Sequence, residues 1–213
     1  MMMGALALLA VSAQAKDLYV LDFANGEQCK PNPAREWKIA ADGKSIRYAS
    51  ASWGMVGFSL GRLPKLDGEF RISFDVREFG VADSNDDYHW GMNFTYGCGN
   101  RGHFHSRGQG FQFINSSAEG KSLPGGAGGE HRLDRKAEDP AWTHVTLDVR
   151  KSSFAIRMDG EPCVQKAIAL APIASWGFYA WRVDAEFANF RIETLPPLDV
   201  KRIEKPTFTL GAT

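Results

Sequence analysis

Trp142-Thr-His-Val-Thr-Leu-Asp-Val-Arg150 and Phe154-Ala-Ile-Arg-Met158, closed by Asp159-Gly160, decide the fold. Val145, Leu147 and Val149 share one face of the first run, and His144, Thr146 and Asp148 share the other. That period of two belongs to a strand half-buried on a core. Asp-Gly after such a run predicts a tight hairpin, because Gly accepts the positive φ the turn needs. Gly177-Phe-Tyr-Ala-Trp181 and Phe187-Ala-Asn-Phe-Arg-Ile192 read as further strands. Upstream, Glu69 to Phe79 alternates most cleanly, with Phe70, Ile72, Phe74 and Val76 inward and Arg71, Ser73, Asp75 and Arg77 outward. Lys16–Phe23, Lys44–Tyr48, Tyr88–Tyr96 and Gly108–Ile114 add four more strand candidates. Cys29–Trp37 is Pro-rich and reads as a loop. No helix longer than a couple of turns and no internal repeat is suggested. Short strands with Gly-rich turns predict an all-β antiparallel β-sandwich or jelly roll.

The chain has 213 residues, a length that suits one such domain. Twenty-five basic side chains balance 25 acidic ones, so no global field draws nucleic acid or anionic lipid. Met1–Ala15 is apolar and ends Ala13-Gln-Ala15, which reads as a signal peptide and a secreted or periplasmic protein. That run is too short to span a bilayer. The sandwich is expected over residues 16–195, with a tail over 196–213 after Pro196-Pro197. Export permits one disulfide among Cys29, Cys98 and Cys163, and their spacing fits no zinc motif. Ser116–Asp139, with Pro124-Gly-Gly-Ala-Gly-Gly129 at its centre, reads as a long polar insertion of functional character.

The closing strands, with a Trp opening one of them, an Asp-Gly hairpin and a last strand Phe187-x-Asn-Phe-x-Ile192, resemble the concanavalin A-like lectin and glucanase superfamily. Leu66-Asp-Gly-Glu-Phe-Arg-Ile-Ser-Phe-Asp-Val76, Gly110-Phe-Gln-Phe-Ile114 and Pro140-Ala-Trp-Thr-His144 are similar to strands of laminin-G-like and 3-keto-disaccharide hydrolase domains. The resemblance implies a concanavalin A-like jelly roll with carbohydrate on its concave sheet. A glycoside hydrolase acting on an oligo- or polysaccharide is the leading implication. A non-catalytic, lectin-like binding module is the alternative, and a laminin-G-like adhesion domain a further one. No Glu-x-Asp-x-x-Glu run is present, so the family 16 glucanase active site is absent.

On the strand ending at Tyr96, Tyr88, Trp90, Met92, Phe94 and Tyr96 face the core, and His89, Gly91, Asn93 and Thr95 face out. The small, hydrogen-bonding set suits a sugar edge. His89, Asn93 and Gln112 are therefore expected to hold hydroxyls. Tyr179 and Trp181 are expected to stack on the sugar, and Arg182 to supply a charged rim. Glycoside hydrolysis needs two carboxyl groups across the bond. Glu130 beside the Gly-rich loop is one candidate, and Asp148 with His144 on a shared strand face is another. Asp83, Asp86 and Asp87 crowd oxygen ligands into a short loop and make calcium the one cofactor expected. His103 and His105, two apart, would point a metal-ligating pair to one face.

Overall fold

The computed structural model describes residues 15–26, 28–32, 34–59, 66, 68–81, 89–107, 110–130 and 140–195. The expected leader up to position 14, the loop of Asp83, Asp86 and Asp87, and the tail over 196–213 lie outside them. Fifteen strands follow in order: β1 (Asp17–Val20), β2 (Lys30–Asn32), β3 (Trp37–Ile39), β4 (Ser45–Ala49), β5 (Trp53–Ser59), β6 (Phe70–Val81), β7 (His89–Tyr96), β8 (Asn100–Arg107), β9 (Gly110–Ser116), β10 (Ala127–Glu130), β11 (Thr143–Val149), β12 (Phe154–Met158), β13 (Glu161–Lys166), β14 (Ile173–Trp181) and β15 (Val183–Thr194). One 3-10 turn, Ala34–Glu36, is the only helical element among the described residues. No helix among them is long and apolar enough to cross a membrane.

The strands form two antiparallel sheets. The eight-stranded sheet runs β13-β12-β11-β6-β15-β4-β3, with β1 beside the far end of β15. The seven-stranded sheet runs β10-β9-β8-β7-β14-β5-β2. Their inner faces meet in one aromatic core. Phe74 of β6 packs edge-on to Phe178 of β14, and Phe178 stacks on Phe187 of β15 at 4.5 Å between ring centres. Trp176 stacks on Phe94 and touches Phe190 across the interface. Removing one such ring is expected to cost about 3–5 kcal/mol.

The expected hairpin joins β12 to β13. Asp159 (φ 51°) and Gly160 (φ 85°) both lie in the left-handed region, as a two-residue type I′ turn requires. The Asp159 carboxylate accepts from the His144 backbone N–H at 2.7 Å, tying the turn to β11.

The last strand contains a bulge that its sequence forces. Phe187 and Phe190 are both fully buried, yet they are three residues apart, an odd spacing that alternation cannot satisfy. The register shifts between Ala188 and Arg191, and Asn189 takes φ 54°. The extra residue returns Phe190 and Ile192 to the core.

Two expectations are corrected. The Pro-rich segment from Cys29 to Trp37 is not wholly loop: it carries β2, the 3-10 turn and the start of β3. The Gly-rich insertion is partly ordered as a hairpin arm, because Ala127–Glu130 pair with Gly110–Phe113. Export would permit one disulfide or leave all three thiols reduced, and Cys29, Cys98 and Cys163 are all free thiols.

Candidate functional site

The outer face of the seven-stranded sheet is built in rows, because side chains opposite one another in an antiparallel ladder stand side by side. At one end Trp53, Trp181 and His89 align across β5, β14 and β7. The next row is Met55, Tyr179, Gly91, His105 and Gln112. Then come Gly57, Gly177, Asn93, His103 and Ile114. The last row is Ser175, Thr95, Arg101 and Ser116. From Trp181 to Ser175 the face extends roughly 20 Å at ~3.3 Å per residue. A cavity of about 740 Å³ opens over the later rows, lined by Met55, Gly57, Asn93, Arg101, His103 and Ile114 among others.

Two glycines form the floor of that cavity. A Cβ on Gly57 would meet no atom within 4 Å, so the space above it is open. Gly177 lies beside it in register. Ligand atoms can therefore approach the backbone closely at Gly57, which a side chain there would prevent, whereas a Cβ on Gly177 would meet the Val56 carbonyl oxygen at 2.9 Å. Gly91 has a different reason to be glycine. A Cβ there would strike the carbonyl oxygen of Phe104 and the ring of Tyr179.

Tyr179 is buried under the histidines. Its ring meets His103 edge-on at 4.6 Å and His89 at 5.3 Å. It thus positions the imidazoles and presents no open ring face. Trp181 is half-buried, its ring lies parallel to His89 (7° between planes), and the Arg182 guanidinium is 5.7 Å from its ring centre. Trp53, its neighbour in register, is 42% exposed. The exposed aromatic surface is therefore Trp53 with Trp181. Trp53 escaped the sequence reading because Trp53–Ser59 is interrupted by Gly54 and Gly57 and lacks a clean alternation.

His103 and His105 do lie on a strand and point to one face. Their rings are hydrogen-bonded to each other, His103 Nε2 to His105 Nδ1 at 3.3 Å. His105 Nε2 lies 3.0 Å from Gln112 Oε1. Gln112 Oε1 can only accept, so His105 carries a proton on Nε2, and with the ring neutral its Nδ1 accepts from His103 Nε2–H. This relay turns the Gln112 amide nitrogen, with both its donors, away from His105. Burial, followed by the nearby His105 and His89, lowers the His103 pKa to about 4, so the imidazole is neutral. No group of three or more His, Cys, Asp or Glu among the described residues is arranged to hold a metal ion.

The sequence-derived sugar contacts His89, Asn93, Gln112, Tyr179 and Trp181 thus fall on one sheet face, with Arg182 just beyond the end of β14. The acid–base candidates do not converge. Glu130 is exposed on β10, the edge strand of the same sheet. Asp148 and His144 stand on the outer face of the opposite sheet. Asp148 is held by Arg71 through a fork of 2.6 and 2.9 Å. His144 Nδ1 is 2.6 Å from Asp75, which also accepts from Asn189.

No protein-family model matches the sequence, and no curated protein matches it. Solved structures match in fold. A β-glucanase from Bacillus licheniformis aligns with TM-score 0.59 at 11% identity, over 85% of this chain and 100% of that one. The metal-free carbohydrate recognition domain of Emp46p aligns with TM-score 0.59 at 9% identity, over 84% and 97%. A protein of unknown function with a galectin-like fold, from Bacillus subtilis, aligns with TM-score 0.58 at 11% identity, over 85% and 98%. The likeness is one of fold, the antiparallel β-sandwich of jelly-roll type expected from the strand pattern.

Proposed function

We propose that the chain is a carbohydrate-binding protein whose ligand lies along the outer face of the seven-stranded sheet, and that it binds without cleaving. The observation that carries this reading is a face that joins exposed Trp53 to half-buried Trp181, a glycine floor and hydrogen-bonding side chains, with no carboxyl pair across the groove among the described residues. Trp53 and Trp181 offer ring surface to sugar C–H groups. Asn93, the Gln112 amide and the neutral His103 imidazole offer donors and acceptors for hydroxyls. The carbohydrate recognition domain and the β-glucanase that share the fold support a sugar ligand as an analogy.

The hydrolase reading needs two carboxyl groups about 5–9.5 Å apart. Glu36, bonded to Ser52 and Tyr48, stands near the Trp53 end. Glu130 stands on the far edge strand, five strand spacings from β5, or roughly 24 Å at ~4.8 Å each. Glu78 is buried and accepts from Trp90 Nε1 within the sandwich. None of these pairs with another across the groove.

The test is depletion of the full chain from solution by insoluble polysaccharides, with mass spectrometry of the supernatant. Binding without released oligosaccharides is expected, weakened at least tenfold by Trp181→Ala or Gln112→Ala. Released products would overturn the non-catalytic part. Undiminished binding by both variants would move the site elsewhere.

A further inference from the structure

We infer that the groove takes acidic glycans, with a uronate carboxylate or a sulfate held in the row formed by Ser175, Thr95, Arg101 and Ser116. This rests on the carbohydrate reading above and names the class of sugar. Basic and acidic residues balance over the chain, but the two sheets use them differently. On the outer face of the eight-stranded sheet three guanidinium groups are neutralised in place, while Arg157 and Arg191 there have no carboxylate partner among the described residues. Arg47 forks Asp184, Arg71 forks Asp148, and Arg77 pairs with Glu186. Across the sandwich Arg101 is exposed on the wall of the groove, and no carboxylate among the described residues pairs with it. No Asp or Glu lines that cavity. Glu119, three residues beyond Ser116, is turned to the Ser117 hydroxyl.

The neighbours of Arg101 suit an anion. Thr95 and Ser175 share one hydrogen bond at 2.7 Å between their hydroxyls, which uses one of their two protons and leaves the other to donate. Ser116 stands opposite Arg101 in register and lines the same cavity. A planar guanidinium matches a carboxylate or sulfate with two parallel N–H donors, and such charge-assisted bonds are stronger than those to a neutral hydroxyl. Across the glycine floor, Lys30 is exposed and in register with Gly57, so a second cation flanks the path of a chain. A neutral sugar would leave both cations without a partner. A polyanion would meet one at each side of the floor.

The test is binding of the full-length protein to a soluble polyuronate, a sulfated galactan and a neutral glucan, each at low and high salt, for the wild type and Arg101→Gln. Arg101 is exposed, so the variant is expected to melt with the wild type. The expected result is at least tenfold preference for an acidic polymer, loss of that preference at high salt, and at least a tenfold weakening by Arg101→Gln confined to the acidic polymer. The uronate and sulfate arms identify which acid is held. Equal affinity for neutral and acidic polymers, or an Arg101→Gln variant with unchanged acidic binding, would overturn the inference while leaving the carbohydrate reading intact. Binding to none of the polymers would overturn both.

Discussion

His103 is the residue whose surroundings most constrain its chemistry. It is packed against Tyr179, donates to His105, and has its pKa lowered to about 4, chiefly by burial. The unfolded chain takes up the same proton near pH 6.5. The native state is therefore favoured fully above about pH 6.5. That stabilisation is lost progressively as pH falls toward 4, because the unfolded state binds the proton first. The difference amounts to roughly 3 kcal/mol over that range. Denaturant midpoints between pH 7.5 and pH 4 are expected to fall more steeply for the wild type than for His103→Gln. Parallel curves would show that His103 titrates normally. The pair His103-x-His105 was legible as a same-face pair from its spacing alone. The relay through Gln112 was not, because it depends on which strand lies beside β8.

At the scale of strands, the open face is governed by two glycines of opposite kind. Gly91 of β7 lies under the Tyr179 ring and against the carbonyl of Phe104 in β8. Gly91→Ala must push a backbone atom, so it is expected to destabilise by about 1–3 kcal/mol, read as a lowered denaturant midpoint. Gly57 of β5 has open space where a side chain would go. Gly57→Val is expected to leave stability unchanged or slightly raised, since valine favours a strand. It would fill the groove floor, and at least a tenfold loss of sugar binding is expected. Retained binding with a native melting curve would show that the ligand does not cross Gly57. The contrast separates folding from function within one sheet. It also explains what the sequence concealed. Runs such as Phe70–Val76 and Val145–Val149 announce themselves because one face is apolar. β5 mixes Trp53, Met55 and Gly57 on its outer face and β8 carries Arg101, His103 and His105 there, so their periodicity is muted where the ligand surface lies. The Asn189 bulge was hidden similarly: Phe187-Ala-Asn-Phe190 matched a familiar pattern, but only the packing of both rings inward required the extra residue.

For the molecule as a whole, stability rests on the shared core and not on covalent links. Cys29 is buried beside the core, and desolvation pushes its thiol up to about 12. Cys163 is raised to about 11 for the same reason. Thiols held protonated in this way are poor nucleophiles for disulfide exchange. The chain is long enough to bury a continuous sandwich core, whereas disulfide dependence belongs mainly to much smaller secreted domains. That core includes fully buried Trp90, Phe104, Phe178 and Phe187, contributed by both sheets. The melting temperature is therefore expected to be the same with and without a reducing agent. Alkylation of the native protein is expected to label the exposed Cys98 first, and Cys29 only on unfolding. A lower melting temperature in reductant would show a disulfide and would require Cys29 or Cys163 to leave its present packing. An unchanged value would show that this sandwich holds on packing alone. The binding face could then be varied in a reducing or an oxidising compartment without altering the scaffold beneath it.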